Sequence, residues 1–361
     1  MRIVHVITAF GIGGAEKLLV EVINRQIVNH EVYLVYLKKT DELISLLDKR
    51  VKIKNIPLSI FITKKIRNFY ISINPDIIHT HLGHADFFGI WSARNVKAKI
   101  FCTMHNTYIQ QNILDRVYFM VYRILFTRVV PKITIISISK SVEQHVLKTL
   151  CVSKDRSFVL FNAIPPNDYF QDHKKQKDLV NSKKTLNLLF VGRLVKQKAV
   201  HTLLQAIRIL KNKGYRDVIN VLIVGEGVLR VTLQNLSKDL QIDDIVKFEG
   251  EIMAVNEYYD NADVFILPSI WEGFGIVILE AFRAKLAVIA TNIEGPSELI
   301  TDNFNGLLFK PNDYEELAEK IILLIEDELL RINLANNGYK TFNDRFNINK
   351  YVESLNEYYE N

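Results

Sequence analysis

At 361 residues, 48% of them hydrophobic and 24% charged, the chain is too long for one ordinary core and suits a soluble protein of two globular domains. Its net charge of +6 is uneven: residues 1–165 hold 23 Lys and Arg against 11 Asp and Glu, a balance of +12, and residues 166–361 hold 23 against 29, a balance of −6. No apolar run approaches the ~18–20 residues of a spanning helix. The opening MRIVHVITAF has too short an apolar run for a signal peptide and reads as a first strand. Cys102 and Cys151 share no metal or redox spacing, which fits a reducing cytoplasm. The basic half suits an anionic lipid surface or a phosphorylated substrate; nucleic acid is disfavoured, because no recognised nucleic-acid motif is present.

In chain order, apolar runs predict strands at 3–7, 31–37, 77–79, 99–103, 133–137 and 157–161. Helical periodicity predicts helices at 15–29, 42–49, 62–73, 87–94, 113–130 and 141–150. Residues 166–184, following Pro165 and rich in charge, read as a linker. A second series follows, with strands at 186–191, 218–224, 245–249, 264–267 and 287–291. Helices at 199–213, 229–240, 256–262, 313–328, 329–343 and 350–358 complete it. Such alternation predicts an α/β protein of two doubly wound domains, 1–165 and 185–344, each with a largely parallel sheet. Ligands are expected at the carboxyl ends of the strands, across a cleft between the domains.

The candidate chemistry clusters at strand ends. Gly11-Ile12-Gly13-Gly14-Ala15-Glu16 follows the first strand, but Glu16 stands where a dinucleotide fingerprint needs its third glycine. The turn can still offer N–H groups to a phosphate; a plain tight βα turn would have the same sequence. Gly192 ends a strand and is followed by Arg193 and Lys198, a forked and a movable cation that suit a diphosphate. Gly225, Gly227 and Gly250 mark two further strand ends. The stretch 262–298 sets Glu272 in a glycine loop with Gly273 and Gly275, and Glu280 about one and a half turns into the following helix. Both carboxylates can then face a ligand over the helix N-terminus, where a phosphate is favoured. A plain strand–turn–helix crossover with two solvated glutamates is the alternative.

The string Val191-Gly192-Arg193-Leu194 with Lys198, then Val224 to Gly227, Phe248 to Gly250, Ala262-Asp263, Leu267-Pro268-Ser269, Glu272 to Gly275, Glu280-Ala281 and Glu294-Gly295-Pro296 with Glu298, resembles family 4 of the retaining glycosyltransferases, whose fold is GT-B. Gly13-Gly14-Ala15-Glu16 resembles that family's N-terminal glycine loop, and Asn162 its inter-domain Asn-Gly. The resemblance implies that Arg193 and Lys198 hold the donor diphosphate, that Glu272 meets hydroxyls of the donor sugar, and that Glu280 binds the ribose. It further implies main-chain contacts from Gly192 and from Gly273, Phe274, Gly275 and Ile276. The base should lie near Glu251 and Ile252, and Gly13 and Gly14 should close over the diphosphate. His105, which alone would read as structural, resembles the family's active-site histidine. Retention would proceed without a protein nucleophile, the leaving diphosphate helping to deprotonate the acceptor. His79, His81 and His84 crowd into HTHLGH, but no metal and no cofactor is expected, the nucleotide-diphospho-sugar being a co-substrate. Ala163, Ala199, Lys285 and Ala287 depart from the pattern. A C-terminal helix at about 345–361 is expected to pack on the first domain.

Two stretches, 63–70 and 116–128, mix cations with aromatic rings and suit either an anionic membrane surface or a helix packed on the sheet. The function expected is hexosyl transfer from a UDP-type sugar to a glycan or polyprenyl-diphosphate-linked acceptor, for capsule or lipopolysaccharide, at the inner face of the plasma membrane. The alternatives are a transferase with a soluble small-molecule or protein acceptor, or a nucleotide-sugar-binding protein without turnover.

Overall fold

Short runs rich in Val, Ile and Leu, most of them buried on both faces, become the central strands of two wholly parallel sheets. The computed structural model describes residues 1–105, 120–129, 132–166, 185–252 and 255–360. They divide into two compact units, Met1–Pro165 with Ile348–Asn361, and Pro166–Asn347.

The sheet of unit 1 is built from β1 (Arg2–Ile7), β2 (Glu31–Tyr36), β3 (Lys52–Asn55), β4 (Ile77–His81), β5 (Lys99–Met104), β6 (Thr134–Ser137) and β7 (Ser157–Val159), in the order 3-2-1-4-5-6-7. Unit 2 has β8 (Leu186–Val191), β9 (Ile219–Val224), β10 (Val246–Gly250), β11 (Val264–Leu267), β12 (Ala287–Thr291) and β13 (Leu307–Phe309), in the order 10-9-8-11-12-13. Each order reverses beside its first strand, between β1 and β4 and between β8 and β11. Those reversals open a crevice at the carboxyl ends of the strands, where doubly wound sheets bind ligands.

The Ile348–Glu360 helix belongs to the core of unit 1. Ile348, Tyr351, Val352, Leu355 and Tyr359 recur every three or four residues and are buried against Ile3, Leu18, Val22, Ile77, Phe101 and Ile136. Each such side chain contributes about 1.5–3 kcal/mol of burial, so this helix is a substantial part of what holds unit 1 together.

Several elements differ from the sequence expectation. Residues 42–49 form turns and one 3-10 turn, Ile44–Leu46, instead of a helix. Leu43 and Leu47 are buried as an apolar period would have them, but the segment is too short to sustain helix on its own. Main-chain contacts from outside decide it, with Asn24 Oδ1 accepting from Asp48 N at 2.8 Å. The strands β3 and β13 and the short helix Pro296–Leu299 were not expected. The predicted linker, beyond its first residue, and residues 113–119 and 130 of the predicted 113–130 helix lie outside the described residues.

Candidate functional site

The reversal in unit 2 brings two loops together. One follows β8 and carries Gly192, Arg193 and Lys198; the other follows β11 and carries Ser269 to Glu272. Gln197 ties them, its carbonyl accepting from Ile270 N at 2.9 Å and its Nε2 donating to Trp271 O at 3.0 Å. Across this tie the Lys198 ammonium donates to the Glu272 carboxylate, and the pair is nearly buried, with side-chain exposures of 12% and 9%. Glu272 also accepts from Ser269 Oγ at 2.7 Å, and Thr291 Oγ1 fixes Ser269 by donating to its carbonyl at 2.5 Å. A Cβ on Gly192 would lie 3.6 Å from Lys198 Cε, so this glycine borders the lysine stem. Arg193, by contrast, is exposed and has no side-chain partner among the described residues. The ends of β8 and β11 therefore share a paired cation and carboxylate, and the loop after β8 also carries the unpartnered Arg193.

Past Glu272 the chain turns into the Ile276–Arg283 helix. Gly275 caps it with φ +93°, a left-handed conformation suited to glycine. The Phe274 ring is buried and meets Phe346 edge-on at 6.1 Å, so this residue offers the loop its main chain and not its ring. Glu280 accepts from Tyr259 Oη at 2.7 Å. Burial, and then the charge of Glu280, push the Tyr259 phenol well above its ordinary pKa, so it stays a donor. Glu272 and Glu280 thus have separate protein partners. Glu251 is exposed and Ile252 half-buried just after β10.

The glycines at 225, 227 and 250 lie at the ends of β9 and β10, as expected, and let neighbouring backbones approach closely. A side chain on Gly225 would run into the carbonyl of Gly192, and its amide donates to Gly250 O at 2.7 Å. These glycines press three strand-end loops together, with Leu194 N donating to Glu226 O at 2.7 Å and Leu229 N to Leu194 O at 3.0 Å. Two of the departing residues occupy left-handed backbone. Ala199 has φ +44° where the Val200–Asn212 helix begins. Lys285 has φ +55° just past the Ile276–Arg283 helix, where Leu286 N reaches Ala281 O and Lys285 N reaches Phe282 O, both at 3.0 Å. That is the Schellman geometry in which glycine is commonest.

In unit 1 the parallel register sets His5 of β1 directly opposite His79 of β4, and His81 follows on the same face. A continuous hydrogen-bond chain results. Asn356 Oδ1 accepts from Gln26 Nε2 at 3.0 Å, Gln26 Oε1 meets His5 Nε2 at 2.8 Å, and His5 Nδ1 meets His81 Nε2 at 3.1 Å. A second arm runs from Tyr359 Oη to His79 Nδ1 at 2.5 Å and from His79 Nε2 to Thr103 Oγ1 at 2.7 Å. With Gln26 Oε1 accepting, the His5 proton sits on Nε2, and His81 must donate from its own Nε2. Burial lowers the pKa of His5 to about 4 and holds His79 and His81 well below the usual histidine range. His105, after β5, is lowered to about 4 by burial; its Nε2 has no partner among the described residues, and its ring lies 6.0 Å from that of His81. The third member of the histidine cluster is His5 and not His84, which is exposed at the start of the His84–Ala93 helix. Nitrogens of His5, His79 and His81 lie within 4.8 Å of one another, close enough to ligate an ion, yet both nitrogens of His5 and of His79 are committed to hydrogen bonds. Gly13 caps the Gly14–Gln26 helix, and the Glu16 carboxylate, its pKa raised by burial, folds back against Gly13.

Sequence reasoning missed Gln197, Thr291, Tyr259 and His5. Only Ser269 had a signal, as the last residue of Leu267-Pro268-Ser269.

Two Rossmann-like units in tandem, each reversing beside its first strand, define a protein of the GT-B class. A solved structure of Anabaena Alr3699/HepE in complex with UDP shares the fold, with a TM-score of 0.85 at 19% identity over 99% of each chain. Residues 171–341 match the family described as Glycosyl transferases group 1, and residues 12–168 match Glycosyltransferase Family 4. The chain belongs to glycosyltransferase family 4, as its motifs led one to expect. It is 28% identical to the capsular polysaccharide biosynthesis glycosyltransferase CapM of Staphylococcus aureus, over 62% of this chain and 60% of that one. It is 27% identical to the Escherichia coli UDP-Gal:alpha-D-GlcNAc-diphosphoundecaprenol alpha-1,3-galactosyltransferase, over 79% of this chain and 75% of that one. Against the first curated relatives the chain spans 56% to 60% of their length.

Proposed function

We propose that the chain is a glycosyltransferase moving a hexose-type sugar from a UDP-sugar to a glycan or polyprenyl-diphosphate-linked acceptor in surface polysaccharide synthesis. The observation that carries this reading is the Lys198–Glu272 pair, joining the loops after β8 and β11 at the strand ends where a doubly wound sheet binds ligands, with the unpartnered Arg193 on the same loop as Lys198. In this reading Arg193 and Lys198 hold the diphosphate and steady the charge that grows on it as the glycosidic bond breaks. Glu272 accepts from sugar hydroxyls, Glu280 from the ribose, and the main chain of residues 273–276 lines the phosphates. Glu251 and Ile252 flank the base. From unit 1, Gly13 and Gly14 approach the diphosphate and His105 the sugar or acceptor. The acceptor oxygen bonds the anomeric carbon on the face the diphosphate leaves, and its proton passes to the departing phosphate oxygen, so configuration is retained. Neither a metal nor another cofactor takes part.

The Escherichia coli relative, with its UDP-sugar donor and diphosphoundecaprenol-linked acceptor, supports the donor and acceptor classes. Among the described residues no helix is long and apolar enough to cross a membrane; the proposed working place is the inner face of the plasma membrane, reached from the cytoplasm. A panel of nucleotide sugars tests the reading by thermal stability, because a ligand that binds only the folded state raises it by mass action. The preferred donor should stand out, and NMR of the product should give the donor's anomeric configuration. Glu272→Gln should abolish transfer while nucleotide affinity stays within about tenfold, a change of ~1.4 kcal/mol. A protein that binds every UDP-sugar without transferring any would make it a binding protein and overturn the proposal.

A further inference from the structure

We propose that Lys64, Arg67, Arg94 and Trp91 form a site on unit 1 for the phosphate headgroup of an anionic phospholipid, with Ile60 and Phe61 entering the acyl boundary beside it. The Ile62–Ile73 helix buries Ile62, Ile66 and Tyr70 and turns Thr63 and Arg67, one turn apart, towards the His84–Ala93 helix. Ser92 Oγ donates to Thr63 O at 3.1 Å and ties the two helices. Between them lies a cavity of about 190 Å³ lined by Thr63, Lys64, Arg67, Trp91, Ser92 and Arg94. The Arg94 guanidinium stands 5.0 Å above the centre of the Trp91 ring. No acidic side chain lines this cavity, and none of its three cations has an ion pair or hydrogen bond among the described residues. Three convergent cations with hydroxyl and indole walls are complementary to a phosphate.

What fixes the source of that phosphate is the apolar edge beside it. Ile60 is 90% exposed and Phe61 61% exposed, immediately before the turn that carries Lys64 and Lys65. Large apolar side chains standing in water beside cations are the arrangement of a surface that lies on a bilayer. The segment 120–129 packs on the same His84–Ala93 helix and exposes Met120 and Ile124, four residues apart, on either side of exposed Arg123. A nucleic acid would gain nothing from Ile60 and Phe61, and the Trp91 face it would stack on is taken by Arg94.

The site deepens the proposed function, resting on its reading of a lipid-linked acceptor for its purpose but not for its chemistry. The test is sedimentation of the full chain with phosphatidylcholine vesicles, with and without phosphatidylglycerol, at low and physiological salt. The wild type should bind only the anionic vesicles. Arg67→Glu with Arg94→Glu should lower partitioning about tenfold or more. Arg67→Lys with Arg94→Lys should keep most of it, which separates loss of charge from loss of folding. Ile60→Ser with Phe61→Ser should bind at low salt and release at physiological salt. Stabilisation by UDP-sugars, whose proposed contacts include none of the substituted residues, should be unchanged in every variant. Equal binding by wild type and the double Glu variant, or no binding by wild type, would overturn the site. Failure there with donor stabilisation intact sinks the lipid site alone, while loss of donor binding in the wild type sinks the transferase reading.

Discussion

Lys198→Met isolates the central pair of unit 2. It leaves the Glu272 carboxylate, only 9% exposed, with the Ser269 hydroxyl as its remaining partner. Breaking one side of a buried ion pair typically costs 3–5 kcal/mol, and the residual exposure of both side chains argues for the lower end, about 3 kcal/mol. Glu272→Gln strands the lysine instead and should cost about 2–3 kcal/mol by the same reasoning. In the double variant the introduced amide can still accept from Ser269, and the introduced thioether side chain fills the volume of the lysine stem. Its loss should therefore be about 1 kcal/mol, well short of the sum. The chain has two tryptophans, Trp91 in unit 1 and Trp271 next to Glu272. In a Trp91→Phe background, urea unfolding followed by Trp271 fluorescence therefore reports unit 2 alone. If the double variant lost the sum of the two single losses to within about 0.5 kcal/mol, the pair would not be the coupled, desolvated unit described here.

Acid should weaken unit 1. His5 and His105, with native pKa values of about 4, and His79 and His81, held by burial well below the usual histidine range, stay neutral in the fold and take up protons on unfolding below about 6.5. Their contribution is present above pH 6.5 and is lost as pH falls towards 4, at about 1.4 kcal/mol per pH unit for each histidine. Asp86, raised by burial to about 7, is protonated in the fold and acts in the opposite sense, so the net slope is smaller than the histidines alone would give. A denaturation midpoint for unit 1 that stays flat from pH 7.5 to 5 would refute this. Tyr359→Phe removes the hydrogen-bond partner of His79 Nδ1 and should cost about 1–3 kcal/mol, seen in the unit 1 transition. Ala199→Gly relieves a left-handed alanine and should be neutral or stabilising by up to about 1 kcal/mol in thermal melts, whereas Ala199→Val should destabilise by more. Excess chelator should leave transfer unchanged; loss of turnover restored by a divalent ion would remove the metal-free mechanism.

The α/β class and most strands were legible because runs such as Val264–Leu267 are continuously apolar, as a strand buried on both faces must be. The edge strand β3, Lys-Ile-Lys-Asn, carries almost no apolar signal, and β13 has only three residues; their pairing partners define them. Arg193, Lys198 and Glu272 were picked out as a set by motif order, but not the bond between Lys198 and Glu272, which depends on β8 and β11 being neighbours. His5 was invisible for the same reason: nothing local says that β1 will lie against β4 with residue 5 opposite residue 79. Lys285 was flagged as out of place, and the geometry gives a reason for its tolerance, since its ammonium stands 4.6 Å over the Tyr339 ring. A cation–π contact of about 0.5–1 kcal/mol offsets part of the cost of its left-handed backbone.

Because the Ile348–Glu360 helix fills the core of the first unit, that unit is assembled from segments whose synthesis is separated by the whole of unit 2. While the ribosome is still producing residues 166–347, the nascent first sheet must leave bare the apolar seat later covered by Tyr351, Val352, Leu355 and Tyr359. Unit 2 is continuous in sequence and has no such wait. The later-made half can therefore reach its native state first, and a chaperone that guards exposed apolar surface would find its binding site on the half that was begun earlier.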